Sequence, residues 1–192
     1  MHNRKVYISG EIVPEVDAKI SIFDSAVLLG DTVTESTRTF NHVPFKLDDH
    51  LERLYKSFKL TRIDPHMTIE EMKKISLELL EINKDNYKAN EDCWLVHNIS
   101  RGHSITGGNP ALQVSKPTVM IYTQPMNLVL WAPFYRKGCH AVTPPTRMVP
   151  SQSLDARIKN RSRLFYTLAE IEAKLVDPDA QSVILDIHGN VA

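Results

Sequence analysis

The spacing of hydrophobic and polar positions predicts strands in several parts of the chain. Residues 5–9 form a short apolar stretch before a glycine turn, and the apolar stretches 93–100 and 117–124 flank a Gly/Asn-rich loop. Residues 32–47 are rich in β-branched side chains, and Asn41-His42 divides them into two runs. That arrangement predicts a β-hairpin.

Two segments between these strands carry apolar residues at helical spacing. The first covers residues 48–60, and Asp48 is a plausible N-cap for it. The second begins after Thr68, which has capping-box spacing to Glu71. Both segments are therefore predicted to be amphipathic helices with one face in a core.

The second half of the chain contains one more helical pattern and two strand patterns. The stretch "ARIKNRSRLFYTLAEIEAK", residues 156–174, predicts an amphipathic helix, and residues 139–145 and 182–187 predict strands. The fold class expected from these elements is α+β with two lobes. The expected division is a small N-terminal lobe over residues 1–124 and a second lobe that starts at residue 125.

The last residues, "SVILDIHGNVA", reach one or two positions into what should be the return strand of a hairpin. A domain rarely leaves such a strand edge exposed. We therefore expect the 192 residues to be part of a longer polypeptide, with an unpaired strand near 182–187 through which this part would associate.

Composition excludes several classes of function. Lys plus Arg and Asp plus Glu number 23 each, so no overall charge favours nucleic acid or an anionic membrane. The chain has no apolar run long enough to span a bilayer and no signal-peptide pattern. Cys93 and Cys139 lie far apart and form neither a metal-ligand spacing nor a disulfide framework, so we expect a reducing cytoplasm and no metal site.

Basic residues crowd the predicted start of the helix at 156–174, namely Arg157, Lys159, Arg161 and Arg163. A helix N-terminus disfavours cations unless an anion is bound there. Lysine differs from arginine because it can lose its proton beside other cations and become a nucleophilic amine. Such a lysine next to an anion site is what a Schiff base to pyridoxal phosphate requires. One alternative is a solvated basic face with nothing bound, and another is a basic anion-binding module without catalysis.

The helix predicted at 48–60 carries a second candidate site. His50, Arg53 and Ser57 share a polar face that is separate from the apolar stripe. Arginine can bind phosphate oxygens through two parallel hydrogen bonds, so Arg53 is a candidate phosphate ligand.

Three motifs resemble the pyridoxal-phosphate enzymes of fold type IV, and together they extend over nearly the whole chain. The first is "LLGDTVTESTRTFNHVPFKLDDHLERLYKSFKL", which contains Gly30-Asp31, Glu35, Arg38, Phe45 and the pattern H-L-x-R-L-x-x-S. The second is "IKNRSRLFYTLAEIEA", which is similar to the family's segment around the Schiff-base lysine. The third is "SVILDIHGNV", which is similar to the strand and turn before the family's cofactor-binding glutamate.

The resemblance implies an enzyme that uses pyridoxal 5'-phosphate in two lobes, the second of which binds the cofactor. Lys159 is implied as the lysine that forms the Schiff base and moves the proton. Arg53 is implied as a phosphate ligand, and Thr34, Ser36 and Arg38 as residues of the strand that lines the substrate pocket. The implied reaction is transfer of an amino group from an amino acid, with a branched-chain-like L-amino acid as the first guess, to a 2-oxo acid. A homodimer is implied as the assembly.

The chain differs from the family pattern at three points, and these leave other activities open. Thr34 stands where an aromatic residue is usual, and Ser162, Arg163 and Leu164 stand where the family often has Asn and an aromatic residue shortly after the lysine. Arg163 resembles an arginine of the aminodeoxychorismate lyases. The carboxylate-binding loop of the D-amino-acid enzymes has no clear match, although Arg101 and His103 are present. A lyase and a D-amino-acid or (R)-amine transaminase are the alternatives.

The acid that keeps the pyridine nitrogen protonated in this family comes directly after the turn at His188–Ala192. We therefore expect it, and further phosphate ligands, after Ala192. Residues 1–192 by themselves are expected to bind the cofactor weakly and to show no transamination.

Overall fold

A computed structural model describes residues 3–103 and 116–192. The chain forms two compact units. Unit 1 comprises Met1–Met126 together with Ile158–Arg161, and unit 2 comprises Asn127–Arg157 with Ser162–Ala192. The sequence places the boundary between residues 124 and 125, whereas in the structure four residues from the second half group with the first unit.

Unit 1 contains a six-stranded sheet in which neighbouring strands run antiparallel. In chain order the strands are β1 (Lys5–Ile8), β2 (Glu11–Pro14), β3 (Thr32–Phe40), β4 (Val43–Pro44), β5 (Cys93–Ser100) and β6 (Thr118–Pro125). They lie in the order β2-β1-β6-β5-β3-β4. The described residues place β3 near one edge of this sheet, with only the two-residue strand β4 beyond it.

The predicted hairpin at 32–47 is confirmed as β3 and β4, with Thr39 opposite Pro44 and Phe40 opposite Val43. Its turn residues Asn41 and His42 have φ of 49° and 65°. Positive φ at both central residues matches the right-handed twist of the flanking strands, which is why such turns join hairpins.

The helices of unit 1 are the short α1 (Ser25–Leu29), α2 (Leu47–Thr61) and α3 (Ile69–Asn83). The predicted capping box of α3 is present, because the Thr68 hydroxyl accepts from the Glu71 amide and the Glu71 carboxylate accepts from the Thr68 amide. The predicted N-cap of α2 is wrong. Lys46 occupies the cap position in a left-handed conformation, and Asp48 lies in the first turn, where its charge still favours the helix dipole.

The core of unit 1 lies between the sheet and the helices α2 and α3. Its fully buried members include Leu51 and Leu54 from α2, Met72 and Leu79 from α3, and Leu95 from β5. This burial follows from the helical spacing of the apolar residues.

The basic segment that was predicted to start a helix does not. The helix α6 begins at Leu164, with Arg163 at its cap position, and runs to Val176. Residues 158–161 instead lie along the edge of β3, where Asn160 forms an antiparallel bridge with Val33. The Thr34 amide donates to the Lys159 carbonyl (2.8 Å) and the Arg161 amide to the Thr32 carbonyl (3.0 Å). The exposed edge of β3 offers these residues backbone partners that a local pattern cannot reveal.

Unit 2 contains α4 (Leu128–Trp131), α5 (Phe134–Lys137), β7 (Ala141–Val142), α6 and β8 (Gln181–Ser182). The strands β7 and β8 pair in parallel. The strand predicted over 182–187 is regular only at its first residue, and the expectation that it is unpaired is wrong. The Val183 amide donates to the Val142 carbonyl, the Leu185 carbonyl accepts from the Met148 amide, and the Asp186 amide donates to the Asn190 carbonyl.

Within the described residues, no helix combines the length and apolar character that a membrane crossing requires.

Leu79 and Leu77 offer a matched pair for testing the packing of α3. Leu79 is fully buried, whereas Leu77 is 43% exposed on the same helix. We expect Leu79→Ala to lower the free energy of unfolding by about 2–5 kcal/mol, because a cavity is left behind. Leu77→Ala should cost less than about 1 kcal/mol. Urea denaturation followed by circular dichroism measures both, and equal losses would contradict this placement of α3.

Candidate functional site

Lys159 lies at the edge of β3 in unit 1. Its carbonyl accepts from the Thr34 amide, and its own amide lies 3.5 Å from the Ser57 hydroxyl of α2. Asn160 faces Val33 across an antiparallel bridge. The lysine predicted to carry the chemistry is therefore held by its backbone between a strand and a helix.

A buried carboxylate lies on β3, one residue after Thr34. The side chain of Glu35 is fully buried, and it accepts from Arg53 Nε and Nη2, both at 2.6 Å. The Ser36 amide donates to the same carboxylate at 2.9 Å, and His50 Nδ1 lies 3.1 Å from it. The polar face predicted on α2 thus turns toward Glu35. Glu35 is the neighbour of Thr34, whose amide donates to the Lys159 carbonyl.

The charge state of Glu35 follows from these contacts. Burial alone would raise the pKa of this carboxyl. The hydrogen bonds from Arg53 and the Ser36 amide, with the positive charges of Arg53 and Lys159, outweigh burial and hold the pKa below its ordinary value. Glu35 is therefore an anion that offsets part of the positive charge of Arg53 and Lys159.

Arg53 was predicted to bind a phosphate, and the structure shows what holds it in place. Two of its guanidinium nitrogens donate to Glu35, while its side chain is 51% exposed. The carbonyl of Arg53 also accepts from the Ser57 hydroxyl. Arg53 thus has a fixed orientation and remains accessible, and its role as a phosphate ligand stays a prediction.

The three residues implied as the substrate pocket lie on β3 with different exposure. Thr34 is 1% exposed, and its hydroxyl donates to the His97 carbonyl at 2.9 Å. Ser36 and Arg38 are half-buried. The guanidinium carbon of Arg38 lies 3.7 Å from the centroid of the Phe40 ring. Ser36 and Arg38 can therefore meet a ligand, whereas the Thr34 hydroxyl already has a partner within the sheet.

The sequence interpretation did not assign roles to Glu35 and His97, two polar residues in the interior of unit 1. They lie directly opposite each other on β3 and β5, and both are fully buried. The Ser76 hydroxyl donates to the Met72 carbonyl, so it accepts from His97 Nε2 (2.8 Å), which therefore carries the ring proton. A lone histidine within the apolar run "CWLVHNIS" was the signal for this residue.

Arg101 lies in the loop that was compared with the carboxylate-binding loop of the D-amino-acid enzymes, and its guanidinium bonds to other residues of unit 1. It forms an ion pair with Asp31 (2.8 Å) and donates to the carbonyls of Thr61 and Arg62 at the end of α2. Cations near a helix C-terminus are favoured there. The remainder of the loop, residues 104–115, lies outside the described residues.

The donor set of unit 1 fits an aldehyde cofactor that carries a phosphate. A primary amine, Lys159, and an oriented guanidinium, Arg53, are the two groups that such a cofactor needs. The described parts of the chain contain no group of three or more His, Cys, Asp or Glu side chains arranged to hold a metal ion.

Comparisons with known protein families and solved structures agree with this donor set. A model of the amino-transferase class IV family matches residues 32–192. A relative from Methanocaldococcus jannaschii, named as a candidate branched-chain-amino-acid aminotransferase, is 35% identical over 97% of this chain and 61% of its own length. The aminodeoxychorismate lyase of Bacillus subtilis is 30% identical over 97% of this chain and 60% of its own length. The chain thus spans about three fifths of the length of these relatives.

Solved structures have the same fold. The branched-chain aminotransferase of the archaeon Thermoproteus uzoniensis, solved with norvaline, aligns with a TM-score of 0.80 at 25% identity, over 98% of this chain and 62% of that one. The branched-chain amino acid aminotransferase of Escherichia coli aligns with a TM-score of 0.83 at 21% identity, over 99% of this chain and 62% of that one.

Buried His97 predicts a loss of stability in mild acid. Burial lowers the pKa of His97 to about 4, below its ordinary value of 6.5. The unfolded chain therefore binds a proton first, and stability falls as the pH drops from 6.5 toward the folded value. We expect a loss of ~2 kcal/mol between about pH 7.5 and pH 5 from this residue.

The measurement is urea denaturation of the parent and of His97→Gln at both pH values. His97→Gln should be less stable at neutral pH but should lose less on acidification. His66→Gln is the control, because His66 is exposed. An equal loss in the parent and in His97→Gln would contradict the buried neutral imidazole.

Proposed function

The chain belongs to the class IV aminotransferases, and from this we propose that it acts in a pyridoxal-phosphate-dependent transfer of an amino group from an amino acid to a 2-oxo acid. The observation that carries the proposal is the placement of Lys159 in unit 1, on the edge of β3 and beside the α2 face that presents Arg53.

Pyridoxal phosphate would supply an aldehyde that bonds to an amine and a ring that withdraws electrons from the substrate carbon. Lys159 would provide the amine that holds this cofactor and, once released, the group that moves a proton at the substrate α-carbon. Arg53 would bind the phosphate with the nitrogen that Glu35 does not use, and Glu35 would keep the guanidinium in that orientation.

The donor we propose is a branched-chain-like L-amino acid. The name of the M. jannaschii relative supports it. The strand β3, with Ser36 and Arg38 on its accessible face, offers little polarity beyond one arginine. We further propose a homodimer in the cytoplasm as the functional state.

The second candidate is a lyase that acts on aminodeoxychorismate. The B. subtilis relative carries that name, and Arg163 matches an arginine of that subfamily. Formation of glutamate from 2-oxoglutarate would support the transferase. Release of pyruvate from aminodeoxychorismate without amino-group transfer would support the lyase.

The cofactor residue is tested by reduction and peptide mapping. Borohydride treatment of the protein with pyridoxal phosphate should place pyridoxyl on Lys159, and Lys159→Ala should lose the label. The fold of Lys159→Ala should persist, because the backbone of this residue, not its side chain, makes the bonds to Thr34 and Ser57. A label on Lys137 or Lys174 in place of Lys159 would refute the proposal.

Arg53 variants separate phosphate binding from stability. Arg53→Gln should weaken pyridoxal phosphate binding by about 1.5–3 kcal/mol. Arg53→Lys should recover only part of this, because lysine keeps the positive charge but lacks the planar guanidinium group. Arg53→Gln should also destabilise the protein by about 1–3 kcal/mol, because the buried carboxylate of Glu35 loses two of its hydrogen-bond donors.

The double variant Glu35→Gln/Arg53→Gln removes both charges, so it should regain stability without regaining cofactor affinity. Binding is followed by fluorescence titration with pyridoxal phosphate. Pyridoxal is the matched control, since it has no phosphate and its affinity should not depend on Arg53. Equal losses for the two ligands would assign Arg53 to structure alone.

A further inference from the structure

Lys159 and Arg161 flank Asn160 in the segment that pairs with the edge of β3. Ile158 packs against the core of unit 1, and Asn160 faces Val33 of β3. Because side chains alternate on either side of an antiparallel bridge, we expect the side chains of Lys159 and Arg161 on the face opposite that of Asn160. Residues two positions apart in such a segment have their side chains about 6.5–7 Å apart along the chain.

The contact of Arg161 confirms this direction. Its Nε donates to the Asn98 side-chain oxygen at 2.8 Å, and Asn98 lies opposite Thr34 in the sheet. The Asn98 amide in turn donates to the Tyr122 hydroxyl at 3.0 Å. This chain of bonds holds the guanidinium by one nitrogen above the sheet, and Arg161 itself is exposed.

Arg161 has no carboxylate partner among residues 3–103 and 116–192, as is also true of Arg38 and Arg147. Arg53 pairs with Glu35, Arg101 with Asp31 and Arg157 with Asp155. The planar fork of arginine matches a carboxylate through two parallel hydrogen bonds. With Nε on Asn98, the two terminal nitrogens remain for such an anion.

We propose that Arg161 binds the carboxylate of the substrate whose reacting carbon lies at Lys159. The proposal rests on the function proposed above and adds to it the residue that binds the substrate carboxylate, so primary amines and ketones without a carboxylate are excluded as substrates. In an amino or 2-oxo acid the carboxylate is bonded directly to the reacting carbon. The side chains of Lys159 and Arg161 are two residues apart, which places the amine and the guanidinium close enough to reach the reacting carbon and the adjacent carboxylate of one substrate. Asn98 is a positioning residue for the guanidinium.

Two small aldehydes test this without the cofactor. Glyoxylate and acetaldehyde both react with a lysine amine, water leaves, and cyanoborohydride then delivers hydride to the resulting C=N bond. They differ in that glyoxylate carries a carboxylate where acetaldehyde carries a methyl group. Peptide mapping of the chain gives the ratio of glyoxylate to acetaldehyde labelling at Lys159, with the ratio at Lys174 as the internal reference.

We expect the parent protein to favour glyoxylate at Lys159 and Arg161→Gln to lower the ratio about tenfold, as the loss of a charged hydrogen-bond pair implies. Arg161→Lys should give an intermediate ratio. Arg157→Gln removes one positive charge from the same stretch and should leave the ratio unchanged, because Arg157 is exposed and paired with Asp155. A changed lysine pKa affects both aldehydes equally and cancels in the ratio.

An unchanged ratio in Arg161→Gln, an equal drop in Arg157→Gln, or no preference for glyoxylate in the parent would overturn the proposal. The outcome is separable from that of the proposed function. Pyridoxyl labelling of Lys159 tests the cofactor, whereas the aldehyde ratio tests Arg161. A glyoxylate preference that depends on Arg161 but comes without pyridoxyl labelling would refute the cofactor assignment and leave the carboxylate site standing.

Discussion

The pairing of residues 158–161 with the edge of β3 is the contact on which the candidate site depends. The two hydrogen bonds, Thr34 to Lys159 and Arg161 to Thr32, join segments that are far apart in the chain. They fix the backbone on both sides of Asn160 and so set the direction of the neighbouring side chains. Lys159 thereby becomes part of unit 1, where Arg53 and Glu35 also lie.

A second constraint is the cost of burying a charge. Glu35 is fully buried, and a carboxylate there needs strong donors or a proton. Arg53 and the Ser36 amide supply such donors, and the pKa of Glu35 stays below its ordinary value. The same bonds orient Arg53 on the surface of α2. Stability and ligand binding are therefore coupled at Arg53, which is why the double variant is needed to separate them.

The sequence predicted most of the local structure of unit 1. Turn residues predicted the hairpin of β3 and β4, and the Thr68–Glu71 spacing predicted the capping box of α3. Apolar stretches around a Gly/Asn-rich loop predicted the strands β5 and β6. The basic stretch was misread as the start of a helix, because its residues resemble the helical pattern that begins at Leu164. Lys159, Arg53 and Arg38 were identified as candidates, whereas the partnership of Arg53 with Glu35 was not.

The sequence by itself determined features that are stabilised by interactions between residues close together in the chain. A helix cap or a two-residue turn involves neighbours along the chain, and family motifs are likewise read in order. Only the tertiary structure decided which strand edge was open to residues 158–161, that Glu35 and His97 lie opposite each other, and that Arg161 meets Asn98. These contacts join distant residues, and their formation depends on sheet order and burial, which no local pattern of residues encodes.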